Sequence, residues 1–409
     1  MRNNIATLWC KIALFNLVLV ALYGVLMRYK IAFDFPFFEQ KNLLHAHSHF
    51  AFSGWISHLL YCGLFMAGRN WINAIKHRNY ILLINANLVV AFGMLFFFTK
   101  QGYGNISIVF STFSIIIAIV YAWIFIKDTQ ALSTVIQARM WAVTGLLLNI
   151  VSAVGPLSLG YMMATRNIQQ DIYLASVYYY LHFQYNGWFF FGAMALIVSF
   201  LPKLDVFFKQ YFRWFVITVV PTFLLSVLWV KLPLWLYVIA VFAAFAQLIV
   251  WLVMLTKIKN AFKEKCISVH KTVVLLFYIS AIAITIKFVL QAISVTPQLS
   301  QFVFGMRSIV IAYLHLVLLG GFSLFFIGYM FANKWIYLSK MAKITLFLFI
   351  AGVVSNEILL GVQGFASFFL LLVPYINESL FAAALLLFLG AGGMFFSQMK
   401  EKSDYNLPQ

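Results

Sequence analysis

Long apolar runs, each closed by a short cluster of Pro, Gly, Asn or charge, follow one another along the whole chain. Twelve reach the length of about 20 residues that a helix needs to cross a bilayer. They fall at 5–27, 45–68, 79–99, 105–126, 139–164, 172–201, 212–230, 233–256, 272–294, 307–331, 342–365 and 374–398. In lipid a run of this kind has to be helical, because only a helix or a closed barrel satisfies its own backbone there. The breaks carry turn and charge signals, as in Lys100-Gln101-Gly102-Tyr103-Gly104-Asn105 and the basic stretch from Lys257 to Lys271. Only Pro374 and Glu378 mark the last one, between Gly364 and Asn377. The pattern predicts an all-α, polytopic membrane protein forming a single domain over 1–409.

Composition agrees. Of 409 residues, 64% are hydrophobic and 9% charged, whereas soluble domains have roughly 45–50% apolar and about 25% charged residues. A net charge of +18 would suggest nucleic acid in a soluble chain. Here the basic residues sit in short loops between apolar runs, where they orient a chain against a membrane, and a nucleic-acid partner is excluded. They concentrate in alternate loops, including Arg69, Lys76 and Arg78, then Lys257 to Lys271, then Lys334, Lys340 and Lys343. That bias places both termini in the cytoplasm. The first run is too long for a signal peptide and has no small-residue cleavage site, so it is expected to stay as a span. Cys10, Cys62 and Cys266 show no paired spacing, so neither a disulfide framework nor covalent haem attachment is indicated.

An internal repeat emerges from three histidines. His49, His182 and His315 are spaced by 133 residues, and each is followed five residues on by Gly54, Gly187 or Gly320 and then by Trp55, Trp188 or Gly321. One period holds four spans. The chain therefore divides into units of roughly 1–130, 131–260 and 261–409, three pseudo-repeated four-helix arcs with one histidine-bearing helix each.

Ionisable groups inside a membrane are costly and tend to mark a functional path, and neutral imidazole is the commonest transition-metal ligand. His182 and His315 are thus candidate ligands, with a helix–helix hydrogen bond as the structural alternative. The second run opens with His45, His47 and His49. Residues two apart lie about 200° apart on a helix, so His45 and His49 share one face while His47 shares the other with His58. The repeat favours His49 as the inward residue, with His47 its rival and His45 near the interface. His58 is a candidate ligand or proton relay, and His77 and His270 fall in basic loops. Gly54 and Gly320 leave the helix surface open below a ligand, for a flat macrocycle or for a close neighbouring helix. Glu357 with Asn356, and Lys287 with Gln291, are candidates for a proton path, for propionate contacts or for structural pairing.

Twelve spans, both ends inside, three arcs and histidines on the second, sixth and tenth spans together resemble the haem–copper oxidase subunit I superfamily, including its divergent members of nitric oxide metabolism. The likeness covers the whole chain by topology and three helices by motif. It implies that a helix 2 histidine, His49 or His47, and His315 in Tyr313-Leu314-His315 hold a low-spin haem of b type. It further implies that Tyr313 stands where a high-spin haem ligand is found and that His182 falls on the helix carrying the first copper ligand. Copper or another second metal would then draw on His45, His47, His49, His182, His315 and Tyr313. The seventh run contains no histidine, and Phe183-Gln184-Tyr185-Asn186 departs from the oxygen reductases.

The function implied is a haem-binding protein of the bacterial inner membrane, acting in electron transfer or in handling O2 or nitric oxide, with a cytochrome c-type or quinol donor. The alternative from another class is a transporter or metal permease using the same histidines. The haem reading also makes a geometric claim. Iron–nitrogen bonds of about 2 Å, similar to those of zinc, require helices 2 and 10 to stand apart at the histidines by more than the ~8–10 Å of packed helices.

Overall fold

The computed structural model describes residues 2–68, 76–130, 136–201, 205–230, 232–265, 269–296, 299 and 306–400. Among them all regular structure is helical. We number the long helices α1 (Arg2–Ala32), α2 (Gln40–Gly68), α3 (His77–Gln101), α4 (Asn105–Thr129), α5 (Ile136–Thr165), α6 (170–200), α7 (Asp205–Val219, continued by Pro221–Val227), α8 (Leu234–Lys265), α9 (Lys271–Ile293), α10 (Arg307–Ala332), α11 (Lys340–Phe368) and α12 (Ile376–Lys400). Among the described residues, 11 helices are long and apolar enough to cross a membrane. The helix outside that set is α6, whose His182, Gln184, Asn186 and tyrosines lower its hydropathy. This is the architecture of a multi-pass protein with a bilayer as solvent.

Several helices outrun their apolar cores. Helix α2 begins at Gln40 rather than at the predicted 45, so His45, His47 and His49 all lie within it. Helix α8 continues along its lysines to Lys265. Prolines account for two interruptions, since proline cannot donate to the preceding turn. Helix α5 breaks at Ala153, ahead of Pro156, and α7 tightens into a 3-10 turn from Pro221. Helix α12 lies along both α11 and α1, bringing the two ends of the bundle together.

Helices α2, α6 and α10 each depart from α-helical geometry just after the repeated histidine. A π-helical segment covers Ala51–Ser57, Phe183–Phe189 and Leu316–Ser323. Such segments are rare and often functional, and their rearranged carbonyls need other donors in a medium without water. Neighbouring side chains supply them. Asn16 of α1 donates to the Gly54 carbonyl at 2.6 Å, Asn87 of α3 to Ser53 at 3.1 Å, and Ser280 of α9 to Gly321 at 2.7 Å.

The same segments bind the three helices to one another. The Trp188 indole donates to Ser57 Oγ at 2.9 Å and the Trp55 indole to Ser323 Oγ at 2.8 Å, both buried. From here to the basic ends, α2, α6 and α10 form the core, with residues such as Leu60, Phe191 and Ile327 wholly enclosed.

Candidate functional site

Two imidazoles are held in one and the same way on different helices. His47 Nδ1 donates to the Val20 carbonyl of α1 at 3.0 Å. His315 Nδ1 donates to the Ile311 carbonyl one turn back at 2.8 Å. Each bond fixes the tautomer, leaving Nε2 with an unshared pair and no partner among the described residues. A backbone carbonyl on Nδ1 is the usual second contact of a metal-bound histidine. The two rings lie within charge–charge reach of each other, and Arg28 within reach of both.

Helix α1 completes the site. Val20, Gly24 and Arg28 recur at four-residue spacing on one face; the first anchors His47, and a Cβ added at Gly24 would make an ordinary contact with His47 Cε1, at 3.9 Å. Helices α2 and α10 are tied at Trp55–Ser323 but share no extensive packing above that bond. No residue of Arg307–His315 is buried, although nearly everything from Val317 to Phe331 is. The histidine ends of α2 and α10 thus lie on the partly enclosed side of the Trp55–Ser323 bond.

His49, favoured by the repeat, points elsewhere. Its ring stacks on Phe98 of α3 at 4.3 Å and 7°, and its Nε2 lies 3.4 Å from the Tyr103 hydroxyl. His45 takes the same side, 4.5 Å from the Tyr103 ring, with its Nε2 buried and unpartnered. Burial holds the Tyr103 hydroxyl above its ordinary range. Of the two residues expected as rivals, His49 thus faces α3 and His47 faces α1, because α1 lies on the His47 side of α2 and α3 on the other.

Gly54 and Gly320 both lie against close neighbours. An added Cβ would sit 2.8 Å from the Phe50 ring at Gly54 and 3.2 Å from Ala283 Cβ at Gly320; these are close-packing positions. His58 lies against α1, its Nε2 3.4 Å from the Trp9 carbonyl, and Cys10 and Cys62 are buried free thiols. His270 caps α9, accepting from the Thr272 amide at 3.1 Å.

A second region surrounds His182. Its Nε2 donates to the Val219 carbonyl at 2.7 Å, and its Nδ1 accepts from Asn186 at 3.1 Å, so both nitrogens are taken. The Val219 carbonyl is available because α7 changes pitch at Pro221. Beside it runs a buried polar chain: Lys287 donates to Gln291 at 2.9 Å, Gln291 to Gln247 at 2.8 Å, Gln247 to Thr222 at 3.5 Å, and Thr222 to the Thr218 carbonyl at 2.9 Å. A cavity of about 470 Å³ opens here, lined by His182, Tyr185, Gln291, Tyr313 and Glu357. Tyr313 meets Tyr185 edge to face at 5.8 Å, and Asn356 donates to Glu357 at 3.2 Å. Among the described residues, no three His, Cys, Asp or Glu side chains converge as a metal centre. Of the donors expected for a second metal, His182 has both ring nitrogens engaged with protein partners.

No family model matches the sequence, and no curated protein matches it. Sequence reading missed the roles of Val20, Gly24, Arg28, Ser57 and Ser323. The four-residue spacing on α1 was the one available signal, and it is silent without knowledge of which helix faces α1.

Proposed function

We propose that this chain is a membrane haem protein whose axial pair is His47 and His315. One observation carries the reading: two imidazoles from different helices are each locked through Nδ1 to a backbone carbonyl, which leaves both Nε2 atoms free to ligate. Both side chains are half-buried. Val20 and Ile311 hold the tautomers, and Arg28 supplies a cation suited to a carboxylate. A bound haem would supply one-electron transfer there. No second-metal step is assigned, because His182 is held by Val219 and Asn186.

The same reading includes three four-helix arcs, with both termini on the cytoplasmic side of a bacterial inner membrane and a cytochrome c-type or quinol donor at the opposite face. It is supported by the equal spacing of the three histidines and the π-helical segment beside each. The resemblance to haem–copper oxidase subunit I belongs to this proposal.

The test is haem and metal analysis of the purified protein with its reduced-minus-oxidised spectrum. A low-spin b-type spectrum is expected, lost in His47→Ala and His315→Ala and kept in His49→Ala. Protein that purifies without haem and takes none up overturns the reading; a divalent metal in its place would favour the permease. Loss in His49→Ala with retention in His47→Ala would overturn the ligand assignment alone.

A further inference from the structure

The contacts among α2, α6 and α10 run in one direction around the centre. The residue six places after the repeated histidine donates to the residue eight places after it on another helix: Trp55 to Ser323, and Trp188 to Ser57. One pairing remains, between position 321 of α10 and position 190 of α6. There the donor is replaced by Gly321 and the acceptor by Phe190, so no such bond forms.

At that third interface the protein is hollow. A cavity of about 460 Å³ is lined by both Phe190 and Gly321, and by side chains of α8 and α9 that include Trp251, Ala281, Ile282 and Lys259. It lies in the size range of small-molecule sites. The walls are almost wholly apolar, and their polar groups are spent internally: Trp251 donates to Thr285 at 2.9 Å, and Ser280 to the Gly321 carbonyl at 2.7 Å. Tyr278 and Ile282 line it and are exposed, 43% and 57% respectively, so the cavity opens sideways onto the lipid-facing surface. Lys259 stands at one end, on the basic tail of α8, with Lys257, Lys263 and Lys271 nearby in sequence.

We propose that this cavity binds one anionic glycerophospholipid, with an acyl chain inserted towards Gly321 and the headgroup at Lys259. The occupant follows from the shape and charge of the site. An apolar tunnel open to lipid takes a chain in preference to a polar solute, and a single cation at its mouth in a lysine-rich stretch selects a negative headgroup. The chain fills the place that an indole holds at the other two interfaces, so the lipid acts as the third fastener of the core. The proposal stands apart from the haem reading and is tested without haem.

Native mass spectrometry of the full chain in detergent, supplied with phosphatidylglycerol or with phosphatidylcholine of the same chains, makes the test. One tightly retained phosphatidylglycerol is expected. Ala281→Phe, which fills the tunnel, should lower retention of both lipids at least tenfold. Lys259→Gln should lower phosphatidylglycerol binding about fivefold, the weight of one lysine at an anionic surface, and leave phosphatidylcholine unchanged. Wild-type retention in Ala281→Phe, or an unchanged preference between the lipids in Lys259→Gln, overturns the proposal. So does an isoprenoid quinone as the retained molecule. Lys259 is exposed at the end of the cavity, so its variant remains decisive if Ala281→Phe fails to fold.

Discussion

Ser57→Ala isolates one interhelical bond and its consequence. The Trp188 indole is 0% exposed, and Ser57 Oγ, 2.9 Å away, is its acceptor. Removing the hydroxyl strands a buried N–H, which costs about 1–3 kcal/mol, while the lost methylene-sized volume is negligible. Trp188→Phe removes the donor instead, and its cost combines the bond with the packing of the indole's second ring. The double variant separates the two. Interhelical bonds of this kind in membranes couple by about 0.6 kcal/mol on average and up to about 1.7, so Ser57→Ala should be milder in the Trp188→Phe background by that amount. The Trp55–Ser323 cycle should show a costlier serine variant, because Ser323 Oγ also donates to the Leu318 carbonyl at 2.8 Å within its own π segment. Equilibrium unfolding in mixed micelles reads all seven proteins. Coupling below the roughly 0.3–0.5 kcal/mol within which independent sites add, in both cycles, would refute the claim that these bonds hold the three helices together.

Two glycine comparisons test packing and haem site separately. At Gly390 an added Cβ would lie 2.6 Å from the Phe349 backbone nitrogen, but at Gly392 it meets nothing within 4 Å. Gly390→Ala should therefore cost about 1–3 kcal/mol as overpacking against a backbone that cannot retreat, while Gly392→Ala is neutral or gains up to about 1 kcal/mol in helix propensity; thermal unfolding compares them. Gly24→Ala should leave both stability and haem content intact, since its Cβ makes only an ordinary contact with His47 Cε1 at 3.9 Å, and Gly24→Phe should lose haem, because its ring is added against that imidazole. A Gly24→Phe protein with full haem absorbance would show that the haem lies elsewhere.

Much of the architecture was legible because hydropathy alone decides it. Runs of apolar residues bounded by Lys100 to Asn105 or by Lys257 to Lys271 can only be spans and loops. The limits of the helices were less legible, since α2 reaches back to Gln40 through polar residues, and α8 reaches forward to Lys265. Hydropathy stops at the membrane surface and helix geometry does not. The π segments left only a trace, the glycine five residues after each histidine, whose meaning was close packing. The choice between His47 and His49 was beyond the sequence for a simpler reason. Two residues apart on a helix face opposite ways, and the decision belongs to α1, which approaches the His47 side and offers the Val20 carbonyl.

The three repeated histidines carry the lesson about the site. His49, His182 and His315 occupy equivalent places in the chain, yet one is stacked on Phe98 beside Tyr103, one is bonded at both nitrogens, and one keeps a free Nε2. Equal spacing therefore predicts position and not chemistry. What fixes the chemistry is the second nitrogen: where Asn186 caps it the ring is a structural link between α6 and α7, and where nothing does the ring is a potential ligand. By that criterion His47, outside the repeat, joins His315, and His182, inside it, does not. The three central helices share the same local geometry, a π-helical segment beside each histidine. The surroundings then differ from one interface to the next: free Nε2 atoms at His47 and His315, a polar chain from α9 through α8 to α7, and a hollow where Gly321 and Phe190 stand in place of the indole and its serine.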